Sequence, residues 1–218
     1  MNQPQVAAEK PERFSFWYRV AQGVCWFLFH TFLPVRYHGA EENAQLDAPY
    51  ILIANHNSML DPLIVGCKVR RYQIHFLGKH ELVKNPLARA FYRNVRMISV
   101  GRGETDMAAM RACLKTLKQG HVLGVFPEGT RHKQGVMENL EAGIGMIALC
   151  GNVPLLPAYI KGKPRLFRRL DVYFDEPISI ADIAAQGMSK PYCDQVLARI
   201  RERYVELQAA HGAPPSAR

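Results

Sequence analysis

Cysteine is sparse in this sequence and never paired. The five residues, Cys25, Cys67, Cys113, Cys150 and Cys193, are isolated, odd in number and set mostly in apolar runs, with no CxxC and no Cys/His ligand spacing. That pattern argues against a disulfide framework or a metal centre and reads as reduced core thiols of a cytosol-facing protein. No serine or cysteine sits in a Gly-x-Ser-x-Gly or similar nucleophile setting. No RNA-recognition or helix-turn-helix signature is present, and no internal repeat. Acidic residues are in deficit: 28 Lys and Arg face 19 Asp and Glu, giving a net charge of +9 and a pI near 9.5. Such a surface attracts an anion, whether nucleic acid, lipid headgroup or phosphorylated substrate, and charge alone does not choose among them. The basic clusters at Lys68, Arg70 and Arg71 and across Lys161, Lys163, Arg165, Arg168 and Arg169 read by default as solvated faces.

A spanning segment is also lacking near the N-terminus. The aromatic-rich stretch 14–37 is uncharged only from Val20 to Val35, short of the ~18 apolar residues a membrane helix needs, and Gln22, Gly23, His30 and Pro34 weaken it further. It carries no small-residue signal-peptide cleavage site. The alternative to a plain core helix is an interfacial one, because Phe14, Phe16, Trp17, Tyr18, Trp26, Phe27 and Phe29 crowd together between Arg13, Arg19 and Arg36. Tryptophan and tyrosine suit the headgroup level, and flanking arginine suits anionic lipid.

What is present is a chain of 218 residues, 48% of them hydrophobic, enough to bury the core of one α/β domain. Short apolar runs alternate with helical patterns. Strands are expected at 50–55, 72–79, 96–103 and over "HVLGVF", "VPLLPAYIKG" and "DVYFDEP"; helices are expected from Pro62, over 85–94, through Met107 to Leu117 with Gly120 as a stop, over "NLEAGIGMIALC" and from Pro191 to Gln208. That alternation predicts a largely parallel or mixed sheet flanked by helices.

In such a sheet ligand chemistry gathers at the turns after the strands. Two unusual turns follow apolar strands here, "NHNSMLD" and "FPEGTR". Positions five apart lie ~140° apart around a helix, so His56 and Asp61 meet only if His56 sits on the turn and Asp61 at the helix start. An ordinary reading makes Asp61 a helix N-cap before Pro62 and Asn57 and Ser58 turn residues. The chemical reading makes Asp61 the partner that orients His56 as a general base for an alcohol. With no protein nucleophile evident, that hydroxyl would belong to the substrate. In the second turn Pro127 and Gly129 shape the chain, Glu128 accepts from hydroxyls and Arg131 offers a forked donor to phosphate. Arg102, after another strand, is a further phosphate contact, or a solvated arginine.

Together these residues resemble the glycerolipid acyltransferase family. "NHNSMLD" looks like its NHx4D motif, "RMISVGR" its second block, "FPEGTR" its third and "VPLLPAYI" its fourth, in order over residues 55–160. The resemblance implies His56 as base, Asp61 as its partner, and Arg102, Glu128, Gly129, Thr130 and Arg131 as the site of a phosphorylated glycerol acceptor. It implies transfer of a fatty acyl group from acyl-CoA or acyl carrier protein to the free hydroxyl of 1-acylglycerol-3-phosphate, giving phosphatidic acid, with no metal, no other cofactor and no acyl-enzyme. It also implies a peripheral or monotopic place on the cytoplasmic face of a membrane, with a lysophospholipid acceptor and no nucleic-acid partner. The expected organisation is a disordered leader over 1–13, a membrane-interfacial helical segment over 14–38, an acyltransferase domain over 39–208 and a disordered tail over 209–218. One departure stands out: where many relatives carry lysine just before the glycine after the third block, this chain has Glu141 and Ala142. The rival readings are a relative acting on another lysolipid, such as a lyso-ornithine lipid, and a non-catalytic basic membrane-binding protein.

Overall fold

The computed structural model describes residues 16–79, 96–100, 107–129 and 137–212. In chain order these form α1 (Phe16–Thr31), β1 (Val35–His38), α2 (Ala40–Asn43), β2 (Ile51–Ala54), α3 (Asp61–Gly66), β3 (Ile74–Lys79), β4 (Ile98–Val100), α4 (Met107–Lys118), β5 (Val122–Val125), α5 (Ala142–Gly151), β6 (Leu155–Lys161), β7 (Leu170–Phe174), α6 (Ala181–Ala184) and α7 (Lys190–His211). The expected helix over 85–94, the 1–13 leader and residues 213–218 lie outside the described residues.

The strands make one sheet in the order β1-β7-β6-β2-β5-β3-β4. From β6 to β4 neighbours run parallel; β7 lies antiparallel to β6, and β1 parallel to β7. The sheet is therefore mixed, mostly parallel and covered on both faces, as the sequence predicts. Alternate side chains of β2 explain its continuous apolar run. Ile51 and Ile53 face a core built with Cys113 and Leu117 of α4, Ile144 and Ile147 of α5, and Val196, Ile200 and Tyr204 of α7. Leu52 and Ala54 face the opposite core, with Cys25 and Phe29 of α1 and Ile64 and Val65 of α3. A strand buried on both sides has no polar face to present.

Two expectations are corrected. The 14–38 segment is not helical throughout: α1 stops at Thr31, and Val35–His38 is an edge strand paired with β7. Pro34 lacks the N–H that a continuing helix needs, while Val-Arg-Tyr-His finds its ladder partner 135 positions away, Val35 opposite Leu170. The terminal helix runs on to His211, so Ala209 and Ala210 belong to it and not to a tail. Helix α1 itself is core and surface at once. At ~100° per residue Tyr18, Cys25 and Phe29 share one side, and all three are buried. Phe16, Val20, Val24 and Phe27 share the other, and all four are exposed. The Gln22 amide fixes this orientation by donating to Gly66 O at 3.2 Å and Val69 O at 3.3 Å at the end of α3.

Candidate active site

The central strand β2 ends at Ala54, and the chain turns through residues 55–60 before entering α3. Asn55 anchors this turn. It is buried; its Nδ2 donates to Ile160 O at 3.0 Å, and its Oδ1 accepts from Ile160 N at 2.7 Å, on the neighbouring β6. Asn57 adds a second tie, donating to Ile160 O at 3.0 Å and Gly162 O at 2.9 Å. Beneath the turn the buried Tyr204 hydroxyl donates to Ile53 O at 2.7 Å and receives Ala158 N at 3.3 Å, joining α7 to both strands. Burial pushes its pKa up, which keeps it a neutral donor.

His56 projects from the turn so anchored. Its Nδ1 lies 2.9 Å from Asp61 Oδ2. Asp61 is fully buried, and the same oxygen accepts the backbone amides of Asn57 and Ser58, each at 2.6 Å. Its other oxygen, Oδ1, is buried with no hydrogen-bond partner among the described residues. Asp61 is the first residue of α3, with Leu60 rather than Asp61 as the cap and Pro62 in the first turn. Its carboxylate therefore turns back onto the loop instead of forward onto the helix, unlike an N-cap. Because an ionised carboxylate only accepts, Nδ1 carries the hydrogen and the lone pair resides on Nε2. The side chain of His56 remains 18% exposed.

The second turn lies alongside, since β5 is the immediate neighbour of β2 and parallel to it. The Phe126 ring packs on the imidazole with centroids 4.4 Å apart, and Phe76 of β3 stacks on Phe126 at 6.0 Å. Gly124 makes room for this wall: a Cβ there would meet Phe76 Cδ1 at 2.4 Å. Residues 126–129 close a turn through Gly129 N to Phe126 O at 3.0 Å, with Gly129 at φ +64°. Proline second and glycine fourth are the residues such a turn favours. Glu128 is buried and accepts Met137 N at 3.2 Å. Glu141, at the start of α5, donates its amide to Pro127 O at 2.8 Å. Its side chain packs so closely that a Cβ on Gly129 would lie 2.4 Å from Glu141 Oε1.

The structure thus brings His56, Asp61, Glu128 and Gly129 to one end of adjacent strands. Arg102, Thr130 and Arg131 lie outside the described residues. Sequence reasoning did not single out Asn55, whose partner is 105 positions away, or Phe126, which reads as the last residue of a strand. The asparagines flanking His56 are the one local hint. A carboxylate-oriented imidazole with its Nε2 lone pair beside an aromatic wall is equipped to deprotonate a bound alcohol.

Comparison with known proteins gives the family. A sequence model described as "Acyltransferase" matches residues 34–161. The 1-acyl-sn-glycerol-3-phosphate acyltransferase of Bacillus subtilis is 30% identical over 149 residues, covering 66% of this chain and 74% of that protein. Its counterpart in Streptococcus pneumoniae is 27% identical, covering 78% of this chain and 65% of that protein. Among solved structures, the 1-acyl-sn-glycerophosphate acyltransferase of Thermotoga maritima superposes with a TM-score of 0.62 at 25% identity, covering 90% of this chain and 80% of that one. With the family match spanning more than half of its length and enclosing the histidine, aspartate and Pro-Glu-Gly turn, this chain belongs to the acyltransferase family.

Proposed function

We propose that the protein transfers a fatty acyl group from acyl-CoA or acyl carrier protein to the free hydroxyl of 1-acylglycerol-3-phosphate, yielding phosphatidic acid. The observation that carries this reading is the 2.9 Å pairing of His56 with a fully buried Asp61 against the turn that holds Glu128. His56 Nε2 takes the hydroxyl proton as the oxygen attacks the thioester carbonyl. The new ester bond forms, the C–S bond breaks, and the proton leaves with the thiolate. Asp61 stabilises the transient imidazolium; proton transfer by a positioned group contributes roughly 10²- to 10⁴-fold in rate. The amides of Asn57, Ser58, Leu60 and Asp61 are already engaged within the turn and so are not free to serve as oxyanion donors. Arg102, Glu128, Gly129, Thr130 and Arg131 hold the acceptor headgroup, and Phe126 and Phe76 line the acyl chain. The exposed face of α1 rests on the membrane that supplies the acceptor, on its cytoplasmic side. Among the described residues no helix is long and apolar enough to cross a membrane.

The test follows free thiol released from palmitoyl-CoA with and without lysophosphatidic acid. Acceptor-dependent release that disappears in a folded His56→Ala variant supports the reading; release unaffected by that substitution overturns it. One observation favours a different acceptor within the same chemistry. The Glu141 carboxylate lies against Gly129 and opposes a dianionic phosphate there. Glu141→Lys is expected to lower the KM for lysophosphatidic acid several-fold, roughly the effect of one exposed charge on a nearby anion. If zwitterionic or amine-bearing lysolipids are the better acceptors of the wild type and lose that advantage in the variant, the headgroup is of that class.

A further inference from the structure

The connection between β6 and β7 carries one of the basic clusters that read from sequence as solvated, and its shape says otherwise. Arg165 and Arg168 pair across a tight turn, with Arg168 N donating to Arg165 O at 3.1 Å and Leu166 and Phe167 at the tip. Leu166 is 66% exposed and Phe167 73%. Phe167 adopts φ +56°, a left-handed conformation that favours glycine and is an outlier for a bulky side chain. A glycine would relieve the backbone, yet an aromatic ring is held out to solvent. Around the tip Lys163, Arg165, Arg168 and Arg169 are all exposed, and none has a carboxylate partner among the described residues. By contrast, the cluster at Lys68 and Arg71 is paired with Glu41 and Asp47.

The tip is continuous with the outer face of α1. Phe167 N donates to Phe32 O at 2.8 Å, and the two rings lie 6.2 Å apart. Phe27 in turn packs edge-on against Phe32. The patch also stands at the active-site edge of the sheet. The connection leaves β6 at Lys161, immediately after Ile160, which receives the side chains of Asn55 and Asn57 on either side of His56.

We propose that this hairpin is a second membrane contact: Leu166 and Phe167 insert among the acyl chains, while Lys163, Arg165, Arg168 and Arg169 bind the phosphates of an anionic bilayer. Together with α1 it makes a two-point dock that sets the mouth of the His56 site against the lipid surface. Apolar insertion and basic flanks act together, since one weak anchor gives only reversible binding and two give stable attachment. An anionic bilayer fits the patch better than a second copy of this chain, because a chain of net charge +9 would bring four more unpaired cations against these four. The proposal rests on the membrane-lipid substrate argued above but is read independently of turnover.

The test is sedimentation of the full chain with vesicles of phosphatidylglycerol and phosphatidylcholine, without acyl donor or acceptor. Phe167→Ser with Leu166→Ser is expected to weaken partition roughly tenfold or more. Each of Arg165→Gln, Arg168→Gln and Arg169→Gln is expected to weaken it roughly fivefold, and only when phosphatidylglycerol is present. Thiol release with a water-soluble short-chain acceptor should be unchanged in every variant, while release with vesicle-borne acceptor falls. A second probe, Phe167→Trp in a background where Trp17 and Trp26 are Phe, should be quenched by brominated lipid. Partition unchanged by all these substitutions, no quenching at position 167, or loss of a self-associated species in their place would overturn the proposal. Failure of the short-chain assay in the wild type would instead count against the acyltransfer reading alone.

Discussion

Asp61→Asn isolates the electrostatic role of one buried oxygen. Asparagine matches aspartate in shape, so its carbonyl can occupy the Oδ2 position and still accept from His56 and from the amides of Asn57 and Ser58. The loop geometry and the histidine tautomer are then retained. What is lost is the negative charge facing an imidazolium 2.9 Å away in a fully buried setting. A decrease in kcat of ~10² to 10⁴ follows, or about 3 to 5 kcal/mol of transition-state stabilisation, with little change in the KM for either substrate. The new amide NH₂ must also occupy the Oδ1 position, which has no hydrogen-bond partner among the described residues. A buried donor left unsatisfied costs about 1 to 3 kcal/mol of stability, tolerable against a typical total of about 5 to 15. The assay pairs steady-state thiol release with thermal unfolding, and the double variant His56→Ala, Asp61→Asn should be no slower than His56→Ala alone, since the two act as a unit. A folded Asp61→Asn protein retaining more than about a third of wild-type kcat, far above the range expected for a lost charge partner, would refute the mechanism.

Gly129→Ala should cripple turnover and destabilise the fold by about 1 to 3 kcal/mol, because the site combines φ +64° with a Cβ 2.4 Å from Glu141 Oε1; pairing it with Glu141→Ala should restore part of the stability, read by chemical denaturation. Asn55→Ala removes its hydrogen bonds to both Ile160 N and Ile160 O, leaving the N–H without a side-chain acceptor and the carbonyl with Asn57 alone, and is expected to cost about 2 to 4 kcal/mol and to lower kcat with the loosened turn, whereas an unchanged unfolding midpoint would contradict the anchoring role. His75, buried on β3 and stacked on His121 at 4.9 Å, has its pKa pushed down to about 4, first by burial and then by the neighbouring histidine. The unfolded chain therefore binds the proton more readily, and stability present above pH ~6.5 is lost as pH falls toward ~4, by up to about 3 kcal/mol; His75→Gln should flatten that part of the stability profile.

The sequence by itself determined the elements whose information is local. β2 and β5 read as strands because a run buried on two faces must be apolar throughout, and α4 and α7 read as helices because one buried stripe repeats every three or four residues. The pairing of His56 with Asp61 was legible for the same reason: five positions around a turn and a helix start are a short-range geometry that proline after the aspartate reinforces. Only the tertiary structure decided the rest. Val35–His38 became a strand because β7 offers it an edge, and Asn55 became an anchor because Ile160 stands across the ladder. The aromatic segment divided into a buried and an exposed side because α3 covers one of them, and the basic hairpin joined that exposed side because Phe32 meets Phe167. A single residue's propensity carries no information about a partner more than a hundred positions away, and it is such partners that set which faces are covered and which are left to meet a membrane.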